Sequence, residues 1–345
     1  MNKLNLKNGE GYLLTDTLYI RYFTNLVISE GYLLVGSEIA LFTDARYFSA
    51  VKEKLNGSDI KCLLYQGDFS IKEEIERQNL STLFLDYEST TLAENARYKN
   101  FKVKLKNGTA RLQKLREIKT EQEISNIKRA CEIIETVLSQ VKNIIKLGVT
   151  EEEIAEYIKT QVVKMGAEDI AFETIVAFGK HSAVPHHKTG KTRLKNNQCI
   201  LIDTGAMVNG YRSDITRTYF FGKPTKEFVD NYNAVLKANL LALDYAKAGT
   251  SLKQVDALAR DYLKDKGVGE YFTHSLGHGV GLAIHEQPRL SKNARGVLKE
   301  NMAFTIEPGV YFDDKYGIRI EDTAIISNGK ATRLYKDSKE LIIIT

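Results

Sequence analysis

The chain has few cysteines and no long apolar run. Its three cysteines, Cys62, Cys131 and Cys199, are widely separated and form no Cys-x-x-Cys pair. They predict buried, reduced thiols, not disulfides or a cysteine zinc site. No run of about eighteen apolar residues occurs, and the N-terminal stretch MNKLNLKNGEGYLLTD contains no apolar signal core. These absences favour a cytoplasmic protein with no membrane segment.

Excess charge is also lacking. The 49 basic and 44 acidic residues leave a net charge of +5, and no basic tract is interleaved with aromatic residues, so we expect no nucleic-acid partner. The sequence has neither a GxxxxGK[ST] phosphate loop nor a dinucleotide-binding fingerprint. What is present is an ordinary globular composition, 43% hydrophobic over 345 residues, which suits one large or two ordinary domains.

The first part of the chain, residues 1–115, alternates short apolar runs with helical segments. This rhythm predicts a small α/β domain with a covered sheet. The runs Tyr32–Val35 and Ile39–Phe42 are separated by three residues, and they predict a hairpin.

The remainder, residues 119–345, is expected to form a second domain that begins with helices. Between Thr120 and Gly148, apolar residues recur every three or four positions, which predicts one long amphipathic helix. Thr120 with Glu123 predicts a capping box at its start, and Gly148 suits its C-terminal cap. The other helix signals are the capping patterns Thr150/Glu153 and Ser251/Gln254, and a covering helix at 224–248.

Two hairpins are predicted in the second domain. Cys199–Asp203 is typical of a buried strand, and Asn209-Gly210 is a type I′ turn signal, so Asp214 is expected on the returning strand. Residues 304–307 and 318–321 are expected to pair in the same way across a turn. The acidic residues would then belong to strands, which hold ligands more rigidly than loops do.

Five residues of metal-ligand type lie in these glycine- or strand-rich contexts. A single acid at the end of a strand is ordinarily a solvent-facing residue, but four carboxylates packed together without partners would cost several kcal/mol per ion. Two divalent cations would cancel that charge, and carboxylates with one imidazole suit Mn²⁺, Co²⁺ or Zn²⁺. The set predicts a two-metal hydrolase. Its members are Asp203, Asp214, His278, Glu307 and Glu321.

The histidines and one arginine lie among these acids. All six histidines fall between positions 181 and 285, and the glycines beside His278 allow close approach of backbone and ligand. Arg319, two residues before Glu321, is expected to hold the acids or bind a substrate carboxylate or carbonyl, with an ordinary strand salt bridge as the alternative. Further functional candidates are His186, His274 and His285, whereas His181 and His187 are expected to be structural.

Five strings, in order, resemble the pita-bread metallopeptidases, the family of aminopeptidase P, prolidase and methionine aminopeptidase: LIDTGA, SDITRT, HSLGHGVGLAIHEQPRLS, FTIEPGVY and GIRIED. IRYFTN at 20–25 and FTDARY at 42–47 resemble the creatinase-type N-terminal domain that precedes the catalytic domain in aminopeptidase P and prolidase. The HExP continuation at 285–288 also resembles this Xaa-Pro branch, since methionine aminopeptidases lack it. One departure is FGKHSAVPHH, where relatives usually have an asparagine near His181. The resemblance implies an α+β protein: a pita-bread catalytic domain, with an antiparallel sheet covered by helices, preceded by a smaller α/β creatinase-type domain.

The resemblance also implies a chemistry. The expected reaction is hydrolysis of Xaa-Pro bonds by a metal-bridging hydroxide, with Glu307 as proton shuttle. The expected cofactors are two divalent ions, Mn²⁺ first, with Co²⁺ or Zn²⁺ as alternatives. The expected partners are a peptide with proline at its second position and, in a homodimer, a second copy of the chain. The implied ligands are Asp203, Asp214, His278, Glu307 and Glu321, of which Asp214 and Glu321 bridge the ions. The implied catalytic residues are His186, His274, His285, Glu307 and Arg319, of which His186, His285 and Arg319 bind substrate.

Two other functions remain possible on the same fold, a metal-free creatinase-like amidinohydrolase and a non-catalytic binding protein. The complete ligand set argues against both, because a protein without metal has no reason to gather four acids. The sequence leaves an Xaa-Pro aminopeptidase and an Xaa-Pro dipeptidase as equal alternatives.

Overall fold

A computed structural model of the protein describes residues 4–345. The chain divides into two compact units, Met1–Arg116 and Glu117–Thr345. This division falls between the two predicted domains, 1–115 and 119–345. Residues 1–3 of the first predicted domain lie outside the described part. Within residues 4–345, no helix combines the length and the apolar character that crossing a membrane needs.

The N-terminal unit is a six-stranded sheet with helices on both faces. Its strands are β1 (Glu10–Leu14), β2 (Tyr32–Val35), β3 (Ile39–Thr43), β4 (Ile60–Leu64), β5 (Thr82–Leu85) and β6 (Lys104–Asn107). Its helices are α1 (Thr17–Thr24), α2 (Ala45–Lys54), α3 (Asp68–Arg77), α4 (Leu92–Tyr98) and α5 (Thr109–Glu117). The strand order is β4-β3-β2-β1-β5-β6, in which β2 is antiparallel to its neighbours and the other pairs are parallel.

Alternate side chains of this sheet enter two separate cores. Tyr12 and Leu14 of β1 pack with α1, α2 and α5, whereas Leu13 packs with α3 and α4 on the other face. This alternation follows from the two-residue period of a strand. The predicted hairpin is confirmed, since Val35 of β2 pairs with Ile39 of β3.

The C-terminal unit places sheets between two pairs of helices. The helices are α6 (Glu121–Val141), α7 (Glu151–Lys164), α8 (Lys226–Tyr245) and α9 (Leu252–Asp265). The strands are β7 (Asp169–Ile170), β8 (Ile175–Phe178), β9 (Gln198–Thr204), β10 (Ala206–Val208), β11 (Tyr211–Arg212), β12 (Ile215–Phe221), β13 (Gly277–Gly279), β14 (Glu286–Leu290), β15 (Ala303–Ile306), β16 (Gly309–Phe312), β17 (Tyr316–Arg319), β18 (Asp322–Ser327), β19 (Lys330–Arg333) and β20 (Ile343–Ile344).

Each helix pair covers its own sheet. The apolar faces of α6 and α7 pack on β8, β9 and β12 of the sheet ordered β20-β12-β9-β8. The apolar faces of α8 and α9 pack on β15 and β18 of the sheet ordered β14-β13-β15-β18-β19. Smaller sheets are β11-β10-β7 and β16-β17. Cys131 and Cys199 are buried free thiols, as predicted, and Cys62 of the N-terminal unit is half-buried and also free.

The capping boxes predicted at Thr120 and Thr150 are confirmed, Ser251 precedes α9 without a side-chain cap, and one predicted helix end is wrong. The Thr120 hydroxyl accepts a hydrogen bond from the Glu123 amide at 3.3 Å, and the Glu123 carboxylate accepts one from the Thr120 amide at 2.6 Å. The same capping box opens α7 at Thr150. However, α6 ends at Val141, and Gly148 (φ +83°) instead turns the chain toward α7, where its N–H donates to the Leu194 carbonyl.

The first predicted hairpin forms, although Asp214 lies just before its returning strand, and the second predicted hairpin has the wrong partners. Asn209 and Gly210 both have positive φ, as a type I′ turn requires, and β9 pairs with β12 so that Asp203 lies opposite Thr216. The segments 304–307 and 318–321 do not pair with each other. Instead β15 pairs with β18, and an unforeseen strand, β16, pairs with β17. Because Pro308 has no N–H for a ladder, β15 ends before it and a new hairpin is inserted.

Candidate active site

The four acids converge from the ends of strands. Asp203 lies within β9, but Asp214 immediately precedes β12, Glu307 immediately follows β15, and Glu321 lies between β17 and β18. The expectation that all four acids belong to strands is therefore wrong for three of them. At a strand end a residue leaves the alternation of the ladder, so acids from different sheets can face the same point.

A single histidine joins these acids. His278, in β13, places its Nε2 at 3.3 Å from Glu307 Oε1 and 3.5 Å from Asp214 Oδ2. One ligand atom each from Asp214, His278 and Glu321 lies within 4.8 Å of the others. This spacing suits residues that share a metal ion.

Arg319 ties the fourth acid to the same cluster. Its Nη2 donates to Asp203 Oδ2 at 2.6 Å, and its Nε donates to Thr216 Oγ1 at 3.0 Å. Thr216 Oγ1 in turn donates to Glu321 Oε2 at 2.6 Å. Arg319 thus binds Asp203 directly and is linked to Glu321 through Thr216. It is 3% exposed, so this pair is not an ordinary surface salt bridge.

The cluster carries more negative charge than its side chains neutralise. Burial, together with repulsion from the neighbouring acids, raises the pKa of Asp214 and of Glu321 well above the ordinary values. Burial also raises the pKa of Glu307 to about 8, although Arg319 opposes the shift. Within residues 4–345, Asp203 Oδ1 is buried without a hydrogen-bond partner. An unpaired buried acceptor among like charges fits a cation-binding site.

The histidine has the protonation state that a ligand needs. Burial lowers the pKa of His278 to about 3, so the ring is neutral at pH 7. Its Nδ1 lies 3.1 Å from the Gly279 carbonyl, to which it donates. This hydrogen bond assigns the tautomer and leaves the lone pair of Nε2 directed at Asp214 and Glu307, as in a metal-bound imidazole. Oxygen-rich ligation with one neutral imidazole fits divalent cations such as Mn²⁺, Co²⁺ or Zn²⁺.

The other predicted residues line one cavity of about 290 Å³ beside the acids, namely His186, His274, His285 and Arg319. His274 is half-buried, and this loss of solvent lowers its pKa to about 4. Its Nε2 accepts from the Tyr311 hydroxyl at 2.9 Å, and that hydroxyl accepts from Arg319 Nη1 at 2.8 Å. The ring of His285 lies 4.4 Å from the ring of His278, edge to face.

Sequence reasoning missed several residues that line this cavity or bond to its lining residues. Tyr311 links Arg319 to His274, and Arg289 brings a second cation to the cavity wall. Both residues lie inside strings that resemble the family, FTIEPGVY and HEQPRLS. Their position within these motifs could have identified them as candidates. The apolar part of the wall had no such signal. It consists of Phe172, Ile175 and Ile284. His181 and His187 are not among the lining residues; both rings contact Glu151.

Comparison with known proteins agrees with this geometry. Residues 125–328 match metallopeptidase family M24, and residues 2–118 match the creatinase/prolidase N-terminal domain. The Xaa-Pro dipeptidase of Pyrococcus furiosus is 37% identical over 313 residues, which span 90% of this chain and 89% of that protein.

Solved structures extend the agreement to the fold. The Xaa-Pro dipeptidase of Bacillus anthracis superimposes with a TM-score of 0.92 and 34% identity, over 96% of this chain and 94% of its own. The X-Pro aminopeptidase of Thermotoga maritima gives a TM-score of 0.91 and 33% identity, over 97% and 95%. The predicted fold class and the predicted resemblance to the Xaa-Pro branch of the pita-bread enzymes are confirmed. The chain belongs to metallopeptidase family M24, with a creatinase/prolidase N-terminal domain before its catalytic domain.

Proposed function

We propose that this chain hydrolyses the peptide bond between a first residue and a following proline, with two divalent metal ions as cofactors. The observation that carries the proposal is the buried convergence of four carboxylates and one neutral imidazole beside a cavity. The names of similar proteins, Xaa-Pro dipeptidase and X-Pro aminopeptidase, support the choice of bond.

The five predicted ligands would hold the ions. Manganese is the proposed metal, with cobalt and zinc as alternatives that the ligand chemistry also admits. When bound, such ions lower the pKa of a coordinated water and polarise the carbonyl that is attacked. The proposed ligands are Asp203, Asp214, His278, Glu307 and Glu321.

The remaining steps of the proposed reaction are proton transfer and stabilisation of the developing charge, and side chains would carry them out. Glu307, held by a hydrogen bond from Thr305 Oγ1 at 3.2 Å, is proposed to take a proton from the attacking water and deliver it to the leaving nitrogen. Burial lowers the pKa of His285, so it is neutral at pH 7 and can donate one N–H to the carbonyl oxygen as charge develops there. Both ring nitrogens of His274 are engaged, Nδ1 with the Ser275 carbonyl and Nε2 with the Tyr311 hydroxyl, so His274 would act in this step by holding Arg319 in place through Tyr311.

The cavity wall suits proline. An Xaa-Pro bond is a tertiary amide with no N–H to donate, so its recognition rests on the shape of the ring. The apolar side chains of Phe172, Ile175 and Ile284 provide such a surface. Arg289 adds a guanidinium that would pair with the carboxylate of a dipeptide. We therefore propose dipeptides over longer peptides as substrates.

A direct assay tests the proposal. The purified chain, supplied with Mn²⁺, is incubated with Ala-Pro, with Arg-Pro-Pro and with Ala-Ala as the proline-free control. We expect cleavage of Ala-Pro, slower cleavage of Arg-Pro-Pro and none of Ala-Ala. A chelator and the Asp214→Asn variant should each abolish turnover. An enzyme that leaves both proline peptides intact under Mn²⁺, Co²⁺ and Zn²⁺ contradicts the proposal, and metal-free cleavage of creatine would replace it with the amidinohydrolase.

The homodimer stays a prediction that rests on the resemblance, and the cytoplasmic location stays a prediction that rests on the cysteine pattern and the N-terminal sequence. Light scattering on the purified chain tests the first, with about twice the mass of the 38.9 kDa chain as the expected result.

A further inference from the structure

One buried carboxylate outside the proposed metal site gathers four hydrogen-bond donors. Glu151, at the start of α7, has no exposed surface. Its Oε1 accepts from the Phe178 amide at 3.0 Å and from His181 Nδ1 at 2.8 Å. Its Oε2 accepts from His187 Nε2 at 3.0 Å and from the Gly190 amide at 3.2 Å. All four donors belong to a single segment of chain, residues 178–190.

The same segment carries His186 to the cavity. His186 is exposed, and within residues 4–345 its ring makes no hydrogen bond in the structure, so its own contacts do not hold it in place. The residues on either side of His186 do make hydrogen bonds. The ring of His187 bonds to Glu151, and the carbonyl of Pro185 accepts from Arg319 Nη1 at 3.4 Å. The orientation of His186 therefore depends on anchors on either side of it.

The segment has a further anchor on its other side. Ser182 Oγ donates to the Gly179 carbonyl at 2.7 Å and accepts from the Gly317 amide at 2.8 Å. A Cβ on Gly317 would lie 2.0 Å from the Ser182 carbonyl oxygen, so β17 and this segment approach as closely as backbones can. Ser182 thus ties the segment to β17, which also carries Arg319.

We propose that Glu151, with His181 and His187, forms a positioning network that sets His186 against the substrate. This rests on the proposed function, in which His186 touches the peptide. Removing the charge of Glu151 would not remove a reacting group. It would release the segment, and a shift of about 1 Å in a substrate-contacting group can cost as much as 100-fold in rate.

A carboxylate with two imidazoles is also a ligand set for a transition metal, and the three residues are close enough to hold one. The hydrogen bonds argue for positioning instead. Each oxygen of Glu151 already accepts two donors, and each imidazole nitrogen that faces it donates one proton. An ion would have to displace both protons and compete with two backbone amides.

The experiment compares Glu151→Gln with Glu152→Gln, a matched control one residue along the same helix with an exposed side chain. With Ala-Pro and Mn²⁺, we expect kcat/KM to fall by roughly 10- to 100-fold in Glu151→Gln and to stay within about twofold of wild type in Glu152→Gln. Metal content per chain should not change in either variant. His187→Ala, which removes one donor and leaves three, gives a smaller loss and serves if Glu151→Gln does not fold.

A double-mutant cycle separates positioning from general destabilisation. If Glu151 acts through His186, Glu151→Gln should cost less than about twofold in kcat/KM once His186→Ala is already present. Fully multiplicative losses overturn the proposal. So does a third ion per wild-type chain that is lost in Glu151→Gln.

Hydrogen exchange measured by mass spectrometry makes the outcome independent of the proposed reaction. In Glu151→Gln, residues 178–190 should exchange faster while α6 keeps its protection. Faster exchange in a protein that cleaves no proline peptide would refute the proposed function and leave the network intact. Unchanged exchange in an active enzyme refutes the network alone.

Discussion

Replacing Glu321 by glutamine should stabilise the protein when metal is withheld. Oxygens of Asp214 and Glu321 lie within 4.8 Å, and two unit charges at that distance repel by about 3.5 kcal/mol at an effective dielectric constant of 20. Uptake of a proton by one acid relieves part of this repulsion at pH 7. Glutamine keeps the acceptor that Thr216 Oγ1 uses. We therefore expect the free energy of unfolding to rise by about 1–3 kcal/mol.

The assay is thermal unfolding in a chelator and in excess Mn²⁺. A gain of this size corresponds to a rise in Tm of roughly 2–10 °C, whereas the exposed-acid control Asp261→Asn should move Tm by less than about 2 °C. Manganese should reverse the order, because wild type gains about 2.7 kcal/mol per site at 100 times Kd and Glu321→Gln has lost a ligand. A variant that is less stable than wild type in chelator would refute the reasoning that repulsion dominates this cluster.

Three further outcomes are expected. Burial lowers the pKa of His274 to about 4 in the folded protein, so as the pH falls His274 is protonated first in the unfolded protein. Wild type should therefore lose stability as the pH falls from about 6.5 toward 4. In His274→Gln, the loss of unfolding free energy between pH 7 and pH 4 should be smaller by about 2–3 kcal/mol, as measured by urea unfolding at pH 7, 5 and 4. If the unfolding free energy of the variant depends on pH as strongly as that of wild type, this role of His274 is wrong. Arg289→Met should raise KM for Ala-Pro about tenfold and for Arg-Pro-Pro less, and equal effects on both peptides would exclude carboxylate recognition. Thr120→Ala should cost about 1 kcal/mol of stability with no change in kcat/KM, since it removes only the cap of α6; a loss of activity would contradict that role.

Signals between near neighbours in sequence were sufficient for much of the fold. The capping boxes at Thr120 and Thr150 form as their spacing predicts, and the Asn209-Gly210 turn adopts the positive φ values that its residues permit. Such features depend on atoms a few positions apart, so the sequence contains the whole cause. The end of α6 at Val141 was missed because apolar periodicity continues to Ile145 while the helix does not.

Charge reasoning identified the acids but not their setting. Four carboxylates and His278 were selected because unpaired negative charge has to be neutralised, and the structure brings them within reach of one another. Their positions at strand ends, and the pairing of β15 with β18, depend on a hairpin inserted after Pro308. No local sequence pattern predicted which strand would pair with β15.

What the sequence determined by itself was the start of several helices, one tight turn and the type of chemistry that its acids require, because propensity and net charge are properties of composition and short spacing. The tertiary structure alone decided the partners. Arg319 meets Asp203 across 116 positions, and His187 meets Glu151 across 36. Contacts of this kind form only when the sheets pack against each other. Packing removes water from the polar atoms, so each of them has to bond to the donor or acceptor that lies beside it.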